Sequence, residues 1–186
     1  MNANRIKLLD TLALKPAPLI QLKLQEIDSE DYSGVIWKTR EMLCETGFEP
    51  SDEYLEKGVL SLKQYYAIAL LDPKNGHAVS KPIDPFWHSH ILFTKSYTEF
   101  SYRVMGGYMH HEPLDTKNPE QMSNVSTLWN YTLRILPEMF SYIDGAFWPE
   151  DQSDNALICL HQNTIYGEIL DLAMFPEVIE GQIYAF

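Results

Sequence analysis

From Ser51 to Leu71 the chain runs without a proline, and Leu55, Val59, Leu62, Tyr66 and Leu70 recur at three- and four-residue intervals. That spacing keeps the five side chains on one face of an α-helix, so the segment predicts a long amphipathic helix whose apolar stripe another element must cover. A chain of 186 residues is long enough to supply that cover from its own core. With no internal repeat, low-complexity tract or linker, a single domain over residues 1–186 is expected.

The other segments point the same way. Residues 5–14 predict a short amphipathic helix, stopped where Pro16 and Pro18 remove backbone donors. In "LIQLKLQE" Leu22 and Leu24 alternate with Gln21, Lys23 and Gln25, which reads as a short extended segment, with a helix start as the alternative. Ser29 or Asp31 can cap a helix that Gly47 closes, burying Ile36, Met42 and Leu43. Asp84 as a cap and Pro85 at the first helical position open a helix of about twenty residues that meets no breaker before Gly106 and Gly107.

C-terminal helices are expected over 120–174. The first spans 120–142, with Val125, Leu128, Trp129, Leu133, Leu136 and Phe140 inward and Pro137 kinking or splitting it. The second spans 153–174 and carries Leu157, Leu160, Ile165 and Ile169, with Gly167 weakening it. The fold class is therefore all-α, with a short extended N-terminal segment as the exception.

Composition excludes some functions. A formal charge of -12 and a pI of about 4.8 would repel a phosphate backbone, and the few basic residues are scattered, Lys38, Arg40 and Lys23 being the densest group. No nucleic-acid partner is expected. No apolar run reaches the length of a membrane span, and the N-terminus lacks the pattern of a secretory leader. Cys44 and Cys159 lie far apart without a CxxC spacing, which fits a reducing cytoplasm. A cysteine nucleophile is the weaker reading of either thiol than a small buried side chain.

The chemistry concentrates in "DPFWHSHILF" and "GGYMHHEPLD". Four of the six histidines, His88, His90, His110 and His111, fall within twenty-four residues, with carboxylates at Asp84, Glu112 and Asp115 beside them. Imidazole and carboxylate together suit zinc or iron, so these four histidines are the candidate metal ligands. Asp84 is a cap or outer partner, and Trp87, Thr94 and Tyr97 line the pocket. On a regular helix His88 and His90 point about 200° apart. The wheel turns His90 inward with Phe86, Thr94, Tyr97 and Ser101, and turns His88 to a polar flank. The two can share a metal only if the helix starts irregularly, and His110 or His111 would otherwise supply a ligand. Set against this is a plain structural role, in which His90 is buried and bonded to Thr94, a tyrosine or a carbonyl. His77 and His161 look incidental.

The segment "VSKPIDPFWHSHILFTKSYTEFSYRVMGGYMHHEPLD" resembles the bacterial glycine-rich-domain-containing-protein-like proteins, in which Trp-His-x-His-Ile-Leu is followed by a threonine, a tyrosine, a glycine and His-His-x-Pro. The resemblance spans residues 18–115 and includes Trp87, His88, His90, Thr94, Tyr97, Gly106, His110, His111 and Pro113. Phe93, Phe100 and Ser101 depart from it, standing where the pattern has an aspartate and an Asp-Cys pair. It implies a shared motif and no particular reaction. The function expected from the residues is metal binding by a histidine cluster, extending to a small metal-dependent hydrolase or oxygenase-like enzyme acting on a small molecule or peptide. The alternative is a non-catalytic accessory protein with a protein partner, whose histidines form a structural polar network.

Overall fold

In the computed structural model, which describes residues 6–115, 117–150, 159–161 and 168–178, the helix expected from Ser51 is the spine of the molecule. It is α3, Asp52–Leu71, with the Ser51 side chain accepting from the Tyr54 N–H and Asp52 and Glu53 in its positive first turn. Beyond its first two turns it is buried almost all round, from Gly58 to Leu71 with Lys63 the least covered. A helix covered on every side must be wrapped by its neighbours. Those neighbours are α1 (Pro18–Ser29), α2 (Ser33–Glu45) and α4 (Asp84–Leu92).

α1 occupies the stretch expected to be extended. Pro18 sets the first turn, and Ile20, Leu24 and Ile27 are buried at helical spacing while Leu22 is 56% exposed. The alternation was thus a by-product of a 3.6-residue stripe. Ahead of α1, the expected helix over 5–14 is a single 3-10 turn, Leu8–Thr11, whose Leu8 and Leu9 N–H groups donate to the Asp28 carboxylate at 2.9 and 3.0 Å. An isolated bridge between Leu12 and Phe140 is the extended contact near the N-terminus. In α2 the buried positions are Val35 and Thr39, not Ile36, Met42 and Leu43, which are half-buried.

The helix expected from Asp84 to Gly106 is two helices. α4 ends at Leu92, Phe93 takes φ -82° and ψ 58°, and α5 runs Thr94–Met105. No glycine or proline causes this break. The Phe93 ring lies over Gly34 of α2, where an added Cβ would approach it to 3.0 Å. Breaking there lets α4 lie along α2 while α5 turns to pack on α1. Gly106, in the left-handed region at φ 79°, stops α5.

α6, Pro119–Met139, is capped by Asn118 and stays one helix past Pro137, ending two residues later. The helix expected over 153–174 is not formed at Cys159–His161. These residues are β3, the middle strand of a small antiparallel sheet, flanked by β1 (His77–Val79) and β2 (His111–Pro113). Residues 153–158 and 162–167 lie outside the described set, and α7 is a single turn, Glu168–Asp171. The fold is a mostly helical domain with this three-residue-deep sheet at one side.

α4 is seated on α3 by one close approach. A Cβ at Gly58 would fall 2.0 to 2.5 Å from the ring of Phe86, which is fully buried. Gly58→Ala should therefore lower stability even though alanine favours a helix by about 1 kcal/mol, because overpacking costs about 1–3 kcal/mol or more. Chemical denaturation reads the loss, and Phe86→Leu in the same chain should recover part of it.

Candidate metal centre

Asp84 and His88 are four residues apart on α4, so their side chains rise from the same face. β2 brings His111 to that face. His111 Nε2 lies 2.9 Å from Asp84 Oδ1, and His88 Nδ1 lies 3.5 Å from Asp84 Oδ2. The two imidazole rings are 4.4 Å apart. Each of the three residues offers one ligand atom within 4.8 Å of the others, and they form the group that could hold a metal ion among the described residues.

Burial grades across the group. The side chains of Asp84 and His111 are 8% and 7% exposed, while that of His88 is 42% exposed and forms the open side. Desolvation pushes the pKa of His88 below its ordinary value, and the Asp84 carboxylate pulls the other way. His88 is therefore mainly neutral at pH 7, with a lone pair to offer. Asp84 is not the cap of α4: Ile83 holds that position with no side-chain cap bond, and the Asp84 carboxylate faces the two histidines.

The other expected ligands lie elsewhere. His90 points into the aromatic wall between α3 and α5, 3% exposed, with its Nδ1 sharing a 2.9 Å hydrogen bond with Tyr66 Oη. Tyr32, Tyr97 and Phe100 pack around its ring at 5.0 to 5.6 Å between centroids. His110 is exposed and lies edge-on to Tyr108. Thr94 is exposed, and its carbonyl accepts from Thr98 Oγ1.

Trp87 and Tyr97 are fully buried beside the centre. The Trp87 ring lies 4.6 Å from that of His111, and its Nε1 donates to Tyr97 Oη at 2.9 Å. The structure thus joins Asp84, His88 and His111, with Trp87 and Tyr97 behind them, and leaves His90, His110 and Thr94 apart. The sequence reading put Asp84 outside the ligand group, although its i, i+4 spacing to His88 was a readable signal.

His77, which looked incidental, sits in a buried polar network. Its ring nitrogens reach Thr132 Oγ1 at 3.2 Å and both the carbonyl and the carboxylate of Asp72 at 3.3 Å. Tyr131 Oη donates to the same carboxylate at 2.6 Å, and Asn75 Nδ2 donates to it at 2.7 Å. Asp72, Asn75, His77 and Thr132 are all 2% exposed or less, which fits a network that fastens β1 to α6. Cys44 is free and exposed, and the side chains of Cys159 and His161 lie outside the described set.

A cavity of about 390 Å³ lies apart from Asp84, His88 and His111, between the start of α2 and α3, lined in part by Asp28, Tyr32, Val59, Leu60 and Lys63. Two of its cations are already paired, Lys63 to Asp28 at 3.0 Å and Lys57 to Glu53 at 2.8 Å, so the chemistry is placed at the histidines and not at this hollow.

A family model described as UCP032817-like matches residues 37–136, more than half of the chain. The chain belongs to this family. The matched region begins within α2, ends within α6, and holds all three residues of the candidate centre as well as Trp87 and Tyr97. It also contains the Trp-His-x-His and His-His-x-Pro segments, although the UCP032817-like description differs from the glycine-rich-domain one that those segments suggested. No curated protein and no solved structure matches the chain. Among the described residues no helix is long and apolar enough to cross a membrane.

Burial holds the His90 pKa down at about 4, against 6.5 for a free imidazole. A neutral, buried His90 adds stability above pH 6.5, and that stability is lost as pH falls from 6.5 through 4 because the unfolded chain takes up the proton first. The loss should approach about 3 kcal/mol for this one group. Urea unfolding between pH 7.5 and 4 measures it, and His90→Gln should flatten that part of the profile.

Proposed function

We propose that Asp84, His88 and His111 bind a divalent metal, with zinc and iron the fitting ions, and that the centre is open enough to act on a small molecule or peptide. The observation that carries this reading is the convergence of two imidazoles and one carboxylate from separate elements. Two atoms bound to one metal at about 2.1 Å lie about 3.0 Å apart in an octahedral site and about 3.4 Å apart in a tetrahedral one. His111 Nε2 lies 2.9 Å from one Asp84 oxygen, near the octahedral value, while His88 Nδ1 lies 3.5 Å from the other oxygen, and one atom from each residue falls within 4.8 Å of the rest, so modest side-chain turns would bring them to one ion.

Three protein ligands leave coordination positions for water or substrate, and the half-exposed His88 marks the side from which they would be reached. A metal there would make bound water acidic enough to attack an ester or amide near neutral pH, or, as iron, would bring oxygen to a substrate. The hydrolytic and oxygenase-like readings share this centre and differ in the metal.

A structural reading is favoured by one observation, the direct 2.9 Å contact between His111 and Asp84, which ties α4 to β2 without any ion. Metal analysis separates the two. Protein purified without an affinity tag should carry close to one metal ion per chain, lost in Asp84→Asn, His88→Ala and His111→Ala and kept in His110→Ala. No metal in the unaltered protein, even after incubation with zinc or ferrous iron, together with reduced stability in the first three variants, would overturn the proposal in favour of the structural network.

A further inference from the structure

We infer that Tyr97 is a positioning residue for this centre, setting His111 over Asp84 through the loop that joins α5 to β2. The inference rests on the metal reading above and says which buried group gives the third ligand its place.

Asp84 and His88 are placed by α4 itself. His111 is not, because it arrives after Gly106 and a stretch of 107–110 with no regular hydrogen bonding. Tyr97 Oη donates to the Met109 carbonyl at 2.6 Å, two residues before His111, and accepts from Trp87 Nε1 at 2.9 Å, one residue before His88. A single hydroxyl therefore ties the loop that carries one imidazole to the helix that carries the other. The Trp87 ring, held by this bond, is the surface on which the His111 ring rests at 4.6 Å.

The chemistry of the phenol suits the task. A hydroxyl can accept one bond and donate another, which neither an ammonium nor a carbonyl can do. Tyr97, Trp87 and Met109 are each 2% exposed or less, so water cannot readily replace either bond. Removing the oxygen would free the loop from this anchor while leaving Asp84 and His88 in place.

Metal affinity of Tyr97→Phe tests this, by cobalt absorption and zinc competition at a temperature where circular dichroism shows every variant folded. Loss of a group bonded directly to a metal ligand commonly costs about 10–100-fold in affinity, and loss of the Tyr97 hydroxyl, one contact further out, is expected to raise the Kd by about tenfold, the low end of that range. Phe100→Leu is the control: it lies one turn along α5 but touches His90 and Tyr66, so its Kd should stay within about twofold at comparable loss of stability. An unchanged Kd in Tyr97→Phe, or an equal rise in the control, overturns the inference and leaves the metal reading standing. Absence of metal binding in the unaltered protein overturns both. If Tyr97→Phe does not fold, amide hydrogen exchange of the unaltered protein takes its place: slow exchange through Met109 to His111 is expected of an anchored loop, and exchange there as fast as in exposed loops overturns the inference.

Discussion

The Phe86 ring on Gly58 fixes more than the distance between two helices. Tyr54 and Phe147 close around the same ring, with centroids 6.3 and 5.8 Å away, so α4 has one rotational setting against α3. Four residues on, His90 shares that inward direction and meets Tyr66. Asp84 and His88, four residues apart on another line of the same helix, are turned away from it. A choice made by an apolar contact thus decides which histidine of the Trp-His-x-His segment is a core residue and which is free for chemistry.

Both faces of α4 are polar, and each is satisfied differently. His90 is neutral and bonded within an aromatic wall, where a charge would have to be desolvated at great cost. Asp84 keeps a carboxylate near water's edge, and β2 covers it with His111. That cover depends on distant parts of the chain, since β2 pairs with β3, and β3 also pairs with β1, which the Asp72–His77–Thr132 network fastens to α6. Two residues of the centre are local to one helix. The third needs nearly the whole domain assembled.

This division also explains what could be read from the sequence. The stripe of α3 and the divergence of His88 from His90 follow from helical period alone, and both were legible. The choice of His111 over His110 was not, because adjacent residues of a strand point oppositely and the register is set by β3, in a stretch whose own pattern suggested a helix. α1 was obscured because Leu22 and Leu24 mimic an alternation that the buried Ile20, Leu24 and Ile27 contradict only once neighbours are known. The break at Phe93 has no local cause, as its ring finds its place on a glycine about sixty residues earlier. Asp84 before Pro85 has the look of a cap, and the same position serves equally to hold a carboxylate one turn from His88.

Electrostatics give the arrangement a direction. The Asp84 carboxylate, 8% exposed beside two imidazoles, belongs to a chain of formal charge -12, a balance that favours cations over anions as partners. A metal ion at this centre would compete with protons for the same atoms. At neutral pH burial disfavours protonation of His88, so the proton is the weaker competitor at that nitrogen. A divalent ion, were one bound, would offset the charge of the Asp84 carboxylate and would find the His88 ring neutral. The contact of His111 with Asp84 stands on its own without an ion. An ion taken up as proposed would have to displace the 2.9 Å contact between His111 Nε2 and Asp84 Oδ1, and because His88 Nδ1 faces the other carboxylate oxygen, the Asp84 side chain would turn or offer both oxygens to serve all three ligands.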